Sequence, residues 1–232
     1  MEQKGRTPKS PSIKTERLLA GQPARLIAGV DEAGRGPWAG PVIAAAVIFP
    51  DGKPPKGLND SKLLTAEKRE ELYLAIRARG LVGVGIASVE EIDRVNILQA
   101  TFIAMRIAIG ALVDEPEIVL IDGNRCPAIN QRAVPVIEGD RLCPSIAAAS
   151  IIAKVTRDRL MRELAADFPG YHWHNNKGYG TPAHAQAIGQ LGVTCHHRQS
   201  FAPIRSALSG ALGPSVGPGI DVFADASPQD LL

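Results

Sequence analysis

The chain has 232 residues, of which 45% are hydrophobic, and 26 Lys and Arg residues against 24 Asp and Glu give a formal net charge of +2. This length and apolar content are enough to bury one sizeable core, so a wholly disordered or fibrous protein is excluded. The nearly balanced charge is compatible with nucleic acid but does not require it, because charge clustering decides that property.

The three cysteines, Cys126, Cys143 and Cys195, are odd in number and form no Cys-x-x-Cys spacing. This pattern indicates neither a disulfide framework nor a zinc knuckle. The basic amino terminus has no apolar segment of the secretory kind, and no stretch is long enough to span a membrane. We therefore expect a cytoplasmic protein without a membrane partner.

The first segment, residues 1–22, is polar and basic, contains Pro8 and Pro11, and shows no hydrophobic period. We expect a disordered arm there. A similar expectation holds for residues 209–232, where Gly, Pro and Ser dominate.

The stretch from Leu26 to Phe49 contains an apolar strand, an acidic pair, a glycine-rich turn and a second apolar strand. The pair, Asp31 and Glu32, lies where a buried strand would normally continue, and an unpaired buried carboxylate costs several kcal/mol. A single guanidinium from Arg35 cannot readily neutralise both acids, which favours a divalent cation with oxygen ligands. Since side chains alternate along a strand, the two acids face one site only if the strand ends there, as the following glycines predict.

The turn places Arg35 between Gly34 and Gly36, which leaves backbone N–H groups open to a phosphate or a sugar hydroxyl. A plain Gly-Pro turn of a hairpin is an equally open interpretation of these residues alone. A dinucleotide-binding fingerprint is excluded, because the next glycine is Gly40 and Pro41–Phe49 continues as a strand and not as a helix.

Beyond this hairpin, capping and periodicity predict helices that alternate with strands. The predicted elements are a helix from Thr65 to Arg79, a strand at Leu81–Ala87, a helical stretch from Ser88 to Val113 that restarts at Asn96, strands at Glu117–Ile121 and Ala133–Ile137, a helix from Pro144 to Phe168, and a short helix opened by Thr181 and Pro182. A hairpin followed by strands and helices in alternation indicates a mixed sheet covered by helices.

Two further acids follow predicted strands: Asp122 after Glu117–Ile121, and Asp140 after the next strand. A mixed sheet can bring them to Asp31 and Glu32, and two-metal phosphoryl chemistry uses such a cluster, with ions about 3.5 to 4 Å apart. Mg²⁺ suits an open site of this kind, and Mn²⁺ should substitute for it.

Other acids have a simpler explanation in pairing on helix faces. Lys154 precedes Asp158 by four residues, the ordinary spacing of an ion pair, and the same helix presents Arg157 on its polar face. Asp60 and Asp93 are interpreted in the same way.

The sequence DEAGRGPWAGPVIAAAVI, which begins at Asp31, resembles the signature of ribonuclease HII, the type 2 ribonuclease H family. The resemblance runs from about Ile27 to Ile204 and includes three further motifs. These are DSK at Asp60–Lys62, SIAAASIIAKVTRD at Ser145–Asp158 and HRQSF at His197–Phe201. The sequence departs from the common family pattern at Leu63, where many members have Lys, and at Asn176, where His is common.

The resemblance implies an α/β ribonuclease H-like fold, with a five-stranded mixed sheet, helices on both faces and a small C-terminal helical extension. The catalytic domain would span residues 23–208, with a substrate-contacting helical region at about 170–208. The implied activity is two-metal hydrolysis, with Mg²⁺ or Mn²⁺, of the RNA strand of RNA–DNA hybrids and of duplex DNA on the 5′ side of a single embedded ribonucleotide. The products would carry 3′-OH and 5′-phosphate ends, and the enzyme would be a monomer.

The resemblance also assigns roles to individual residues. The catalytic carboxylates and metal ligands would be Asp31, Glu32, Asp122 and Asp140. The turn Gly34-Arg35-Gly36 would recognise the ribose 2′-OH, and Tyr179 would pack on the next sugar. The phosphate contacts would be Lys62, Lys154, Lys177 and Arg198. Without the resemblance, a packed surface aromatic and solvated lysines would explain these last residues.

Two other functions compete with this one. A nucleic-acid-binding module without turnover would not need the full set of acids, and a small-molecule phosphatase or nucleotide enzyme would need an enclosed pocket in place of an open basic groove. The five histidines form no His-Glu-x-x-His spacing, so a histidine metal cluster is not predicted. We expect the segment Tyr171–His174 to lie in a loop that closes over the substrate.

The chain ends Pro228-Gln229-Asp230-Leu231-Leu232 after a flexible segment. Short peptides with a glutamine and terminal hydrophobic residues resemble motifs that dock on bacterial sliding clamps, and such a tether would raise the local concentration of a repair enzyme. A tail without a partner is the simpler alternative, since so short a pattern often occurs by chance.

Overall fold

A five-stranded sheet forms the centre of the computed structural model, which describes residues 10–21 and 26–211. Its strands are β1 (Ile27–Ala33), β2 (Val42–Ile48), β3 (Leu81–Ala87), β4 (Ile118–Asp122) and β5 (Arg132–Val136). They lie in the order β3-β2-β1-β4-β5. The first three strands pair antiparallel, whereas β4 is parallel to both β1 and β5, so the predicted mixed sheet is confirmed.

Nine α-helices occur within the described ranges. They are α1 (Ile13–Ala20), α2 (Ala66–Arg79), α3 (Val89–Val95), α4 (Ile97–Gly110), α5 (Gly139–Leu142), α6 (Pro144–Asp167), α7 (Trp173–Asn176), α8 (Pro182–Leu191) and α9 (Ala202–Ser206). No described helix is both long and apolar enough to cross a bilayer.

The predicted helix starts are confirmed at the level of single hydrogen bonds. The Thr65 side chain accepts the Lys68 N–H, and Ser88 and Glu91 form the complete capping box. Asn96, at φ 70°, ends α3 and caps α4 by accepting the N–H groups of the two residues at the start of the new helix. Local capping chemistry therefore fixes these boundaries.

Helices cover both faces of the sheet, as predicted. Along β2, Ile43 and Val47 belong to the cluster packed by α2 and α6, whereas Ala44 and Ile48 belong to the cluster packed by α4. This alternation of side chains along a fully buried strand separates the two halves of the core.

The alanine-rich first half of α6 lies very close to β1. A Cβ atom added to Gly29 would stand 2.2 Å from the backbone nitrogen of Ile146, a distance that no real side chain tolerates. The next residues of the helix, Ala147–Ala149, are fully buried. Small residues on both elements thus bring α6 against the strand that carries the acidic pair.

Part of the predicted disordered arm is helical, so that prediction was wrong for Ile13–Ala20. The buried Glu16 carboxylate accepts hydrogen bonds from the Ser145 backbone N–H at 2.8 Å and from the Ser145 hydroxyl at 2.7 Å. Burial nevertheless raises the pKa of Glu16. The helix depends on this contact with a residue 129 positions away in sequence. The local hydrophobic pattern therefore could not predict it. Residues 1–9 lie outside the described ranges.

The prediction that Tyr171–His174 forms a loop that closes over the substrate was also wrong. Trp173 is fully buried and Tyr171 nearly so, and they pack with a buried histidine pair instead of facing a groove. The Trp173 indole N–H donates to Nε2 of His184, which lies 3.1 Å from Nε2 of His197. These rings form the core of the C-terminal helical region.

Candidate active site

The acidic pair lies near the carboxyl end of β1. The strand continues one residue beyond the pair, to Ala33, and ends before Gly34, as the glycines predicted. Asp31 and Glu32 pair with Ala45 and Ala44 of β2. Their side chains consequently point to opposite faces. Asp31 accepts a hydrogen bond from Ser150 on α6. Glu32 also lines a cavity on the α4 side.

The third acid reaches the pair from the neighbouring parallel strand. Asp122 ends β4, and its Oδ1 atom accepts the Gly139 N–H at 2.8 Å at the start of α5. The next residue of α5 is the fourth acid, Asp140. Thus β1, β4 and α5 bring together the four acids that the sequence predicted from three separate places.

The four carboxylates repel one another in a partly dry environment. Burial raises the pKa of Asp31 well above its ordinary value, and the nearby Glu32 and Asp122 raise it further. Burial and then Asp122 and Asp60 raise the pKa of Asp140 to about 6. Burial likewise raises the pKa of both Glu32 and Asp122.

Two cations partly compensate this charge. Lys62 lowers the pKa of Glu32, Asp122 and Asp140, and the half-exposed Arg35 places Nη1 3.3 Å from Glu32 Oε1. Carboxylate remains in excess, and an all-oxygen donor set of this charge fits a hard divalent cation. Within the described ranges, no three His, Cys, Asp or Glu side chains converge on a position that could hold a metal ion by themselves. Water and substrate oxygens are the remaining ligands that such an ion would need.

The carboxylates open into a groove of about 360 Å³. Its lining includes three of the acids, the glycine-rich turn, two lysines and one tyrosine: Asp31, Glu32, Asp122, Gly34, Arg35, Gly36, Lys62, Lys154 and Tyr179. Asp140 does not line the groove and is nine-tenths buried.

The turn over this groove requires glycine. Gly34 has φ +100°, and a Cβ atom there would lie 2.1 Å from Nε of Arg157. A Cβ atom at Gly36 would stand 3.5 Å from the Tyr179 ring, which is 46% exposed. The structure therefore places Tyr179 directly beside the turn, although the two are far apart in sequence.

The predicted phosphate-contacting lysines occupy different environments. Lys62 and Lys154 line the groove, and Lys154 also pairs with Asp158 at 2.7 Å, which confirms the helix-face explanation for that acid. Lys177 is not among the lining residues, and its ammonium group donates to the His174 carbonyl.

Arg198 contradicts its predicted contact with a phosphate. Its side chain is fully buried, and its guanidinium donates to the carbonyls of Gly34, Arg35 and Gly40 at 2.6, 3.0 and 2.7 Å. The reason is the position of HRQSF, which passes beneath the glycine-rich turn, so Arg198 meets backbone before it can reach the groove.

The acids Asp60 and Asp93 do not pair on helix faces as predicted. Asp60 is buried, accepts the Lys62 N–H at 3.0 Å and lies 3.6 Å from Arg141. Asp93 accepts both the N–H and the hydroxyl of Ser200. The first acid therefore orders the segment that carries Lys62, and the second anchors the C-terminal region.

Two residues that contact the site were missed as site residues from the sequence. Ser150 binds Asp31, and Arg157, which the sequence placed on an exposed polar face, is 1% exposed beneath the turn. Together with Lys154 they occupy positions i, i+4 and i+7 of α6, so they share one face of that helix. This spacing could have identified Ser150 and Arg157 from the sequence, since both lie on the same helix face as Lys154 and within the same motif.

Comparison with known proteins points to the same family that the sequence motifs resemble. The sequence model described as Ribonuclease HII matches residues 28–204. A curated ribonuclease HII of Parvibaculum lavamentivorans is 51% identical over 228 residues, covering 97% of this chain and 82% of the relative.

Solved structures agree in fold. The ribonuclease H2 of Pyrococcus horikoshii is similar with a TM-score of 0.67 and 26% identity, over 79% of this chain and 97% of the other. The ribonuclease HII in a PCNA complex from Archaeoglobus fulgidus gives a TM-score of 0.62 and 27% identity, over 76% and 95%. The chain therefore belongs to the ribonuclease HII family, the nucleases that cleave the RNA of RNA–DNA hybrids.

Proposed function

We propose that this nuclease hydrolyses the RNA strand of RNA–DNA hybrids and also incises duplex DNA on the 5′ side of a single embedded ribonucleotide, leaving 3′-OH and 5′-phosphate ends. The observation that carries the proposal is the juxtaposition of excess carboxylate with a glycine-rich turn along one open groove. The acids suit hydrolysis of a phosphodiester, and the turn suits recognition of one sugar.

The metal ligands in this proposal are Asp31, Glu32, Asp122 and Asp140, which would hold Mg²⁺ or Mn²⁺, with two ions when substrate is bound. Such ions supply activation of water and stabilisation of the leaving oxygen. The protein supplies orientation: Ser150 fixes Asp31, and the Gly139 N–H fixes Asp122. Lys62 and Arg35 offset part of the negative charge so that an anionic strand can approach.

Selection of RNA would depend on the turn and on Tyr179. A 2′-OH distinguishes RNA from DNA, and the backbone N–H groups of Gly34–Gly36 can hydrogen-bond to it. Tyr179 would pack on the following sugar and disfavour a hydroxyl there, which directs the cut to the last ribonucleotide before DNA. Lys62 and Lys154 line the groove and would contact phosphates, which position a strand without reading its sequence.

The competing functions explain the site less well. A binding module has no use for acids whose burial and mutual repulsion cost free energy, because those acids would also repel the nucleic acid. The match of residues 28–204 to the ribonuclease HII family favours a nucleic-acid substrate over the small-molecule substrate of a phosphatase.

The deciding assay is incubation of the protein with a DNA duplex that contains one ribonucleotide, with Mg²⁺, with Mn²⁺ and with a chelator. We expect a single cut 5′ to the ribonucleotide with either metal, and none with the chelator. The matched all-DNA duplex should remain intact. Cleavage of both duplexes, or of neither with metal present, would contradict the proposal.

A second prediction concerns the position of the cut. At an RNA–DNA junction, Tyr179→Ala should broaden cleavage from the last ribonucleotide to its neighbours. The reason is that no aromatic ring then packs on the sugar that follows the cleaved ribonucleotide. Tyr179→Phe keeps the ring and serves as the control, with the wild-type cut expected. Product mapping on a sequencing gel measures this, and an unchanged pattern in Tyr179→Ala would refute the role.

A clamp partner is a further proposal, and it concerns Gln229–Leu232, outside the described ranges. The A. fulgidus neighbour was solved in a complex with PCNA, which supports testing a clamp contact here. Fluorescence titration of a peptide carrying Gln229–Leu232 against a bacterial sliding clamp should give saturable binding that is lost when both leucines become alanine. Absence of binding at high micromolar clamp would end this proposal.

A further inference from the structure

Two arginines are buried beneath the glycine-rich turn without an acidic partner. Arg157 is 1% exposed and Arg198 fully buried, and within the described ranges neither forms a salt bridge. An unpaired buried charge is costly, and a guanidinium stays protonated at neutral pH even where burial lowers its pKa, to about 10 for Arg157 and about 9 for Arg198. The two side chains therefore need hydrogen-bond acceptors other than carboxylates.

Backbone carbonyls satisfy both side chains. Arg157 donates to the carbonyls of Pro41, Ala39 and Lys177, each at 3.0 Å. Arg198 donates to those of Gly34, Arg35, Gly40 and Pro41, at distances from 2.6 to 3.2 Å. All of these acceptors except Lys177 belong to residues 34–41, the connection between β1 and β2. Arg198 holds the turn Gly34-Arg35-Gly36 itself, and Arg157 holds the residues that follow it.

The planar geometry of the peptide bond shows which way the N–H groups next to these carbonyls point. In a trans peptide the C=O group and the following N–H point to opposite sides. Because the carbonyls of Gly34 and Arg35 point inward to Arg198, the N–H groups of Arg35 and Gly36 point away from it. Arg35 and Gly36 both line the groove beside the carboxylates.

We propose that Arg198, supported by Arg157, is a positioning residue for ribose recognition: it holds the turn so that the N–H groups of Arg35 and Gly36 meet the substrate's 2′-OH. This inference rests on the function proposed above and adds the device that sets its specificity. The guanidinium pair also places positive charge under the donors, which strengthens hydrogen bonds to an oxygen next to a phosphate.

Lysine cannot replace Arg198 in this role. It retains the charge but has one nitrogen, whereas Arg198 distributes five hydrogen bonds over four carbonyls through a rigid fork. Arg198→Lys should therefore free the turn to rotate. The loss should appear in discrimination between sugars, and the carboxylates, which Arg198 does not contact, should keep their affinity for metal.

The test compares wild type, Arg198→Lys and Arg157→Lys, with Arg162→Lys as the control, since Arg162 is exposed on the same helix. The readout is the ratio of the Kd for an all-DNA duplex to the Kd for the duplex with one ribonucleotide, measured with a chelator so that no cleavage occurs. In Arg198→Lys we expect this ratio of Kd values to fall about tenfold for each misaligned N–H group. Arg162→Lys should keep the wild-type ratio. Mn²⁺ titration by calorimetry should give the same affinity for all four proteins.

Outcomes separate the two proposals. A folded Arg198→Lys variant with the wild-type ratio overturns the positioning role alone, because wild type still prefers the ribonucleotide. A wild type without any preference overturns both. If the variants do not fold, ¹⁵N–¹H spectra of wild type replace them: the Arg35 and Gly36 amides should shift with the ribonucleotide duplex and not with all-DNA, and equal shifts with both refute the inference.

Discussion

Replacing Asp122 with Asn is expected to reduce cleavage by about three orders of magnitude while substrate binding persists. Asp122 joins β4 to α5 and lies near each of the other site acids, so it is the carboxylate whose loss affects the whole metal site most. Metal assistance contributes several kcal/mol to phosphoryl transfer, and about 4 kcal/mol corresponds to a 10³-fold rate change. Turnover of the ribonucleotide duplex at saturating Mg²⁺ measures the effect.

Asp31→Asn should show the same loss of activity together with a gain in stability. Burial and neighbouring acids raise the pKa of Asp31, so the metal-free folded protein binds its proton more tightly than the unfolded chain. Ionisation therefore destabilises the fold as pH rises, and Asn removes this cost. With a chelator present, we expect Tm to rise by several degrees at neutral pH, and the gain to vanish as pH falls below the ordinary value of 3.8.

The control for both variants is Asp167→Asn, which changes an exposed acid at the end of α6. It should alter neither turnover nor Tm measurably. Near wild-type turnover by Asp122→Asn and Asp31→Asn would contradict the metal-ligand assignment, and a fall in Tm for Asp31→Asn would show that its carboxylate is structural.

The helices and strands followed from the sequence wherever a local interaction decides them. Thr65, the Ser88–Glu91 capping box and Asn96 all make the hydrogen bonds that their positions predicted. The proximity of Asp122 to β1 also followed, because acids after buried strands of a mixed sheet meet at one edge. In each case the required information spans only a few residues or follows from strand order.

What the sequence could not supply are the contacts made between distant segments. The Glu16 carboxylate accepts a hydrogen bond from Ser145, and the Arg198 guanidinium donates one to the Gly34 carbonyl. In both cases the partner is more than 100 residues away in sequence. The HRQSF motif predicted that Arg198 matters and suggested a phosphate as its partner. Whether an arginine faces solvent or a backbone carbonyl depends on which segment passes over it, and no local pattern records that.

The end of β1 could be predicted from nearby residues. The glycines after Glu32 predicted it, and the strand ends at Ala33, next to Gly34. Pairing with Ala44 and Ala45 of β2 keeps the strand regular through both acids, so their side chains alternate between the two faces of the sheet. The consequence for function is that Glu32, like Asp122, lines both the groove and the cavity on the α4 side.

The largest effect on folding is expected from Gly29→Ala. A methyl group there would stand 2.2 Å from backbone atoms of Ser145 and Ile146, and the backbone in the first turn of a sheet-packed helix cannot move aside cheaply. Gly29 also pairs on both sides, with Val47 and Leu120. We expect the free energy of unfolding to fall by about 3 kcal/mol and Tm to fall by roughly 10 °C. Because α6 carries Ser150, any folded fraction should also cleave slowly.

The matched control is Gly110→Ala at the end of α4, where nothing lies within 4 Å of the added methyl group. It should leave Tm unchanged or raise it slightly, since alanine favours a helix over glycine. Thermal unfolding of both variants with a chelator present separates packing from metal binding. A Tm for Gly29→Ala within about 2 °C of wild type would mean that α6 can move off β1 at little cost, and that the close contact does not fix the position of Asp31.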